Sequence, residues 1–155
     1  MKDRVFVVIQ CPHTWKTLMV RKSKNGRWGF LGGKKSKKEK PMNALKREVF
    51  EESKIRLWPE LVIKKPLLLG TKTMPNIWVY KYSMYYAQPV TLSKEHIEKR
   101  WFNDPYEILD AIRKQGVTNP AARMIRANLF GGGLYNVKLS FWEMLKERGL
   151  YNGRE

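Results

Sequence analysis

The chain has 155 residues, of which 43% are apolar, and its 31 lysines and arginines against 14 acidic residues give a formal charge of +17. This length fits one domain of ordinary size, so we expect residues 1–155 to form a single domain. The excess of positive charge favours polyanionic partners. No apolar run approaches the ~20 residues of a membrane-spanning helix, and we therefore expect no membrane contact.

The chain has one cysteine, Cys11, which excludes an internal disulfide. The apolar run at residues 5–9 is shorter than the apolar core of a secretion signal. Both features predict a reducing, cytoplasmic setting. The sequence carries no signal for an oligomeric state.

Strands and one helix are predicted in the first half of the chain. Apolar runs indicate strands at residues 4–10 and 17–21, and the turn at residues 24–26 leads to a short strand at 28–31. A helix is predicted from Pro41, since proline is tolerated in a first helical turn, to about Ser53. Its predicted buried side comprises Met42, Leu45 and Val49.

The second half of the chain predicts more strands and then helices. Strands are expected at residues 56–64, 67–73, 76–87 and 100–102, and helices at residues 105–114, 119–128 and 138–148, with a hinge or tight loop at the glycine run 131–133. Trp78, Tyr80, Tyr82 and Tyr86 share one face of a strand, which either packs into the core or stacks a base, the core role being the commoner one. Strands around one long helix, with helices after them, predict an α/β fold in which a mixed sheet lies between helical layers.

Three glutamates, Glu48, Glu51 and Glu52, lie at helical offsets of zero, three and four. This spacing puts their carboxylates on one helical face, where like charges repel by a few tenths of a kcal/mol per pair unless a cation is present. Oxygen-only ligands suit Mg²⁺ or Mn²⁺ rather than zinc, and such ions commonly bridge to substrate phosphates. Gly32 and Gly33 upstream let the backbone approach a ligand closely. The pattern predicts phosphate chemistry.

These residues resemble the signature of the Nudix hydrolases: a glycine, five residues, a glutamate, seven residues, then Arg-Glu-hydrophobic-any-Glu-Glu-any-Gly-hydrophobic. The matching positions are Gly33, Glu39, Arg47, Glu48, Val49, Glu51, Glu52 and Ile55. Lys54 stands where the family has its last glycine, and Leu31 where it often has a proline. A lysine in the left-handed conformation of that glycine costs roughly 1 to 2 kcal/mol, so the departure concerns the end of the helix rather than the chemistry.

The resemblance implies a Nudix-like α/β/α sandwich and a role for each residue of the signature. Glu48, Glu51 and Glu52 would ligate Mg²⁺ or Mn²⁺ together with the backbone of Gly33, and either Glu48 or Glu52 would serve as the base. Glu39 and Arg47 would form an ion pair that braces the loop against the helix.

The family often adds an acid from a loop before a late Trp-Phe strand. Here the candidates are Glu95 and Glu98, of which we favour Glu95, and either could instead be a plain surface charge. His13 and His96 lack the His or Cys neighbours of a transition-metal site, so we expect both to be ordinary surface or loop histidines.

Residues 21–40 carry nine lysines and arginines against one acid, Glu39. We predict that Arg27, Lys34 and Lys35 bind phosphate, because this segment adjoins the carboxylate helix. The alternative is a solvated loop whose charge serves solubility.

Three functions remain open. The first is a metal-dependent pyrophosphohydrolase that cleaves a nucleoside diphosphate linked to another moiety. The second applies the same chemistry to 5′-phosphorylated RNA, as in removal of a cap or a 5′ pyrophosphate, and its motive is the +17 charge. The third is a non-catalytic nucleotide-binding or RNA-binding module on the same fold.

Overall fold

In a computed structural model, the described residues are 2–11, 14, 16–62, 67–68, 76–84, 89–103 and 105–126. Within these residues one sheet is built from seven strands: β1 (Arg4–Gln10), β2 (Thr17–Lys22), β3 (Trp28–Gly29), β4 (Leu31–Lys34), β5 (Leu67–Leu68), β6 (Ile77–Ser83) and β7 (His96–Phe102). The helices described are α1 (Pro41–Ser53), α2 (Pro105–Gln115) and α3 (Asn119–Arg126).

The sheet is mixed because β1 has partners of both directions. It runs parallel to β6 along its whole length and antiparallel to β4 on its other edge. β2 pairs antiparallel with β7 and, on the opposite side, with β3. The β1–β4 register sets Gly32 opposite Phe6 and Gly33 opposite Val5, which fixes the glycine pair beside the central strand.

Two separate apolar cores lie on the two faces of the sheet, since successive side chains of a strand point to opposite faces. On one face α1 packs through Ala44, Leu45 and Val49 against side chains of β1 that include Val5 and Val7. On the other face, α2 and α3 pack against the alternate side chains of the same strand; this core includes Phe6, Val8, Ile108, Ile112 and Met124. The predicted α/β/α sandwich with a mixed sheet is confirmed.

α1 begins and ends at the predicted residues, Pro41 and Ser53. Lys54 follows with φ 62° and ψ 11°, and its N–H donates to the carbonyl of Phe50 at 2.8 Å. The helix therefore ends in the left-handed conformation that usually selects glycine, with a lysine in that position.

The aromatic face of β6 is part of the core. Tyr80 and Tyr82 are buried, and the Tyr82 hydroxyl accepts a hydrogen bond from the backbone N–H of Trp58 at 3.1 Å. Trp78 packs, partly buried, against the same core. The core role therefore holds for these three residues, while Tyr86 lies outside the described residues.

Three predicted strands need correction. Residues 56–58 form no strand and a 3-10 turn follows at Pro59–Leu61, because proline fixes φ and lacks the N–H that a strand ladder needs. The strand predicted at 28–31 divides at Phe30, where the chain leaves β2 and joins β1. The strand predicted at 100–102 is longer and begins at His96.

Other predictions fall only partly within the described residues. Of the strand predicted at 67–73, only Leu67–Leu68 is described, and helix 138–148, the glycine run 131–133 and His13 lie outside. No helix in the described part of the chain is both long and apolar enough to cross a membrane.

Candidate functional site

The buried stripe of α1 determines where its glutamates lie. Leu45 and Val49 are fully buried against the sheet, which turns Glu48 and Glu52 toward one flank of the helix. Glu52 is only 4% exposed, whereas the side chain of Glu51 is 56% exposed. The three glutamates of one helical face therefore have different surroundings: one is buried, one is half-buried and one is exposed.

The glycine pair of β4 lies directly against the two inner glutamates. The N–H of Gly32 donates to Oε1 of Glu52 at 2.7 Å. A methyl group at Gly32 would collide with the backbone carbonyl of Val5, and one at Gly33 would collide with the carboxylate of Glu48. Both positions thus require glycine, the first for the β1–β4 pairing and the second for the position of Glu48.

Glu52 is a buried acid, and among the described residues Lys22 is the cation that opposes its raised pKa. The pKa of Glu52 is raised to about 8, chiefly by burial and in part by the carboxylates of Glu48 and Glu95, against the opposing Gly32 hydrogen bond and the charge of Lys22. Burial also raises the pKa of Glu48, although Arg47 opposes the shift. We call Gly32, Gly33, Glu48, Glu52 and the adjoining His96 the buried carboxylate site.

His96 was predicted to be an ordinary loop or surface histidine, and this prediction is wrong. It is 6% exposed at the start of β7, and its Nε2 lies 3.4 Å from Oε2 of Glu52, while neither ring nitrogen makes a hydrogen bond to a described residue. Burial and the charge of Lys22 lower the pKa of His96, which keeps the ring neutral. Nothing in the local sequence distinguishes it, because its burial results from the β2–β7 pairing.

An exposed ion pair joins the loop after β4 to α1. Arg47 binds both carboxylate oxygens of Glu39, through Nε and Nη2 at 2.9 Å each, and Nη2 also donates to the carbonyl of Lys34 at 3.2 Å. These bonds lower the pKa of Glu39 to about 2 and raise the pKa of Arg47. We call these three residues the loop brace.

The same arginine reaches the inner glutamates. Its Nη1 lies 2.9 Å from Oε1 of Glu48 and 3.5 Å from Oε2 of Glu51. Arg47 therefore supplies positive charge to two of the carboxylates that the resemblance assigns to a metal.

The donor set fits a hard divalent cation. Oxygen donors of Glu48, Glu51 and Glu52 project from one helix, and desolvated carboxylates with raised pKa values are groups that a cation would stabilise in their charged form. Among the described residues, no three acidic or histidine side chains are close enough to hold an ion as they stand. Binding an ion would therefore require side-chain rotation.

The two candidate acids outside the helix differ in their surroundings. Glu95 lies on the turn before β7 and raises the pKa of both Glu48 and Glu52 through its charge. Its backbone carbonyl accepts hydrogen bonds from the N–H and the hydroxyl of Ser23, at 3.0 and 3.2 Å. Glu98 instead pairs with Nε of Arg21 at 2.9 Å.

The predicted phosphate-binding residues are dispersed. Lys34 is exposed, and Lys35 is largely buried with its Nζ donating to the carbonyl of Ser36 at 3.0 Å. Arg27 lines a cavity of about 360 Å³ on the α3 side of the sheet, together with Arg4, Phe6, Lys22, Asn25, Phe30, Asn119 and Arg123. Lys22 also lines this cavity, and its charge lowers the pKa of both Glu52 and His96.

Comparison with known proteins gives matches by structure only. No protein-family model matches the chain, and no curated protein matches it by sequence. A MutT/nudix family protein from Enterococcus faecalis matches with a TM-score of 0.58 at 18% identity, over 66% of this chain and 43% of that one. The chain thus spans less than half the length of that relative.

Two other structures match over most of both chains. The MutT protein from Methanosarcina mazei Go1 has a TM-score of 0.56 at 23% identity, with 95% of this chain and 94% of that chain covered. An Ap4A hydrolase from C. elegans has a TM-score of 0.56 at 19% identity, with 82% and 96% covered. The chain therefore has the fold of the Nudix hydrolases, as its resemblance to them predicted.

Proposed function

We propose that the chain is a Mg²⁺- or Mn²⁺-dependent pyrophosphohydrolase that cleaves a nucleoside diphosphate linked to another moiety. The observation that carries this proposal is the buried carboxylate site, in which Glu52 and Glu48 lie against a glycine pair and burial raises the pKa of both, even though Arg47 pairs with Glu48. A fold shared with hydrolases does not by itself establish activity. The combination of this fold with the retained glutamates supports it.

In this proposal Glu48, Glu51 and Glu52 hold the metal with the backbone of Gly33. The metal would neutralise phosphate charge and lower the pKa of a water molecule. The protein positions the carboxylates: Gly32 fixes Glu52 by a hydrogen bond, and the loop brace sets the loop that follows β4. Glu39 and Arg47 are therefore positioning residues.

A base must accept the proton of the attacking water from within hydrogen-bond reach. Glu48, Glu52, Glu95 and Glu98 were the candidates. The charge of Glu95 acts on the buried carboxylate site, whereas Glu98 is engaged by Arg21, and this difference favours Glu95 as the acid from outside α1.

The cavity on the α3 side of the sheet offers positive charge and hydrogen-bonding groups. Arg4, Lys22, Arg27 and the amides of Asn25 and Asn119 line it, which suits a polar, anionic ligand. It lies across the sheet from α1, so the proposal does not place the reacting phosphates in it. Of the three predicted phosphate ligands, Lys34 adjoins the glutamates, because it follows Gly33 directly and its carbonyl accepts a hydrogen bond from Arg47.

A substrate panel tests the proposal. Nucleoside triphosphates, nucleotide sugars, ADP-ribose and dinucleoside polyphosphates would be incubated with the protein in Mg²⁺, Mn²⁺ or EDTA, and the released products identified. We expect metal-dependent cleavage of at least one class. Absence of cleavage across the panel would overturn the proposal and favour the non-catalytic module.

The charge of the chain favours a second candidate, hydrolysis at the 5′ end of RNA. A charge of +17 exceeds what a small nucleotide requires, and binding to a polyanion weakens steeply with salt because counterions are released. Cleavage of 5′-triphosphorylated RNA should then fall more steeply between low and moderate salt than cleavage of a free triphosphate. Equal salt slopes would count against RNA.

A further inference from the structure

A second groove lies on the flank of α1 opposite the glutamates. Lys46 and Phe50 from the helix, Arg56, and the segment from Leu57 to Glu60 line a space of about 470 Å³. Lys46 and Phe50 are spaced four residues apart on α1, so they form one stripe on the far side of the buried helix positions from Glu48 and Glu52. Lys54 follows the end of α1, and its ammonium group lies over the Phe50 ring. We call this feature the Trp58 groove.

Trp58 is an exposed aromatic residue whose backbone is held in place. The residue is 63% exposed, and its backbone N–H donates a hydrogen bond to the hydroxyl of the buried Tyr82 at 3.1 Å. The 3-10 turn that starts at Pro59 fixes the chain on its other side. An exposed tryptophan on a fixed backbone offers a stacking surface.

Two cations lie over one aromatic ring of the groove. The guanidinium carbon of Arg56 lies 4.8 Å from the centroid of the Phe50 ring, and Nζ of Lys54 lies 5.1 Å from it. Both distances are within the range of cation–π attraction. Glu60 is the one acidic residue among those that line it.

We propose that the Trp58 groove binds single-stranded nucleic acid, with a base stacked on Trp58 and backbone phosphates bound by Arg56, Lys46 and Lys54. Exposed aromatic rings interleaved with cations are the combination that binds single strands without sequence preference. An acidic peptide would satisfy the cations and leave the indole unused, so the aromatic ring favours the nucleic acid.

The position of the groove determines which ligands can use it. A helix with its side chains is about 10–12 Å across, and the groove and the glutamates lie on opposite flanks of α1. One nucleotide at the glutamates therefore does not reach Trp58, whereas a longer strand does. The groove goes beyond the proposed hydrolase and does not depend on it, since binding to the groove requires no cleavage.

Fluorescence anisotropy in EDTA tests the proposal without any contribution from catalysis. The probe is a labelled oligouridylate of about ten nucleotides, a length within the range that single-strand sites commonly cover. We expect W58A to weaken binding about tenfold and W58F to retain most of it, in keeping with the usual contribution of one stacked base. The variant R56Q should lower the dependence of affinity on salt.

Tyr106→Ala provides the matched control. Tyr106 is 70% exposed and lies on α2, across the sheet from α1, so its removal should leave affinity unchanged. Circular dichroism establishes that each variant is folded. The proposal is overturned if W58A binds as the wild type does, if Y106A weakens binding equally, or if polyglutamate competes as well as unlabelled oligouridylate.

Discussion

Glu39 in the loop brace and Glu52 in the buried carboxylate site belong to the same sequence signature, yet their surroundings are opposite. Glu39 accepts two hydrogen bonds from Arg47 in solvent, which lower its pKa to about 2. Glu52 has one backbone hydrogen bond in the interior and a pKa of about 8. A satisfied, exposed ion pair stabilises a loop conformation, while buried carboxylates without matching charge are suited to bind a cation.

The largest expected effect is the difference in activity between variants of Glu52 and Glu39. Glu52→Gln should lower metal-dependent hydrolysis by about 10²- to 10⁴-fold, as expected for loss of a group at the reacting centre. Glu39→Gln should cost about tenfold or less, because it acts on loop position. Steady-state kinetics on the best substrate of the panel would measure both. Near-normal turnover by Glu52→Gln would contradict the comparison.

The dependence of stability on pH sharpens the comparison in the metal-free protein. Folding raises the pKa of Glu52 from 4.5 to about 8. Its contribution to stability is therefore fully present below pH 4.5 and is lost as the pH rises from there through about 8. The loss is a few kcal/mol, at most about 5. Urea unfolding in EDTA at pH 5 and pH 9 should show a smaller loss for Glu52→Gln than for the wild type.

His96 has the opposite sign, since its lowered pKa disfavours the folded state at low pH. It is present in both proteins of that experiment, so the difference between them reports Glu52. Equal pH dependence in the two proteins would mean that Glu52 is charged in the folded state.

The glycine pair tests whether the buried carboxylate site can be disturbed without disturbing the fold. Gly33→Ala should lower activity about 100-fold with little loss of stability, because its methyl group displaces only the Glu48 carboxylate. Gly32→Ala should destabilise the protein, because its methyl group meets the backbone of β1. Thermal unfolding and kinetics of both variants measure the contrast, and equal stability of the two would refute it.

A smaller effect distinguishes the two acids outside α1. Glu95→Gln should lower kcat by roughly tenfold or more, within the usual range for a proton-transfer group. Glu98→Gln should change kcat by less than about threefold, since exposed ion pairs such as Arg21–Glu98 contribute little. A larger effect at Glu98 would reverse the assignment.

The smallest expected effect concerns the end of α1. Lys54→Gly removes the cost of a left-handed lysine, roughly 1 to 2 kcal/mol, but increases the entropy of the unfolded chain and removes the contact with Phe50. A net gain in stability of about 0.5 kcal/mol is expected. Lys54→Ala keeps the strained backbone and should not stabilise; urea unfolding compares the two.

Local sequence was enough to predict the bounds and the buried side of α1. Proline at the first helical position and the apolar spacing of Leu45 and Val49 set the bounds and the buried side of the helix, because both depend on interactions within a few residues. The fixed spacing of Glu48, Glu51 and Glu52 likewise predicted a shared face.

Features that depend on strand pairing between distant segments of the chain could not be predicted from local sequence. The division of residues 28–34 into β3 and β4 results from a change of partner strand at Phe30. The proximity of Glu95 and His96 to Glu52 results from the pairing of β7 with β2, some forty residues away from α1 in the chain.

The sequence by itself determined the spacing of the glutamates and glycines and the excess of basic residues, since residue type and helical period are properties of the chain. Only the tertiary structure decided which carboxylate is buried and which remains in solvent. The reason is physical: burial and the fields of Glu48, Glu95 and Lys22 arise when α1 packs on the sheet that contains β7, and those interactions set the different properties of otherwise identical side chains.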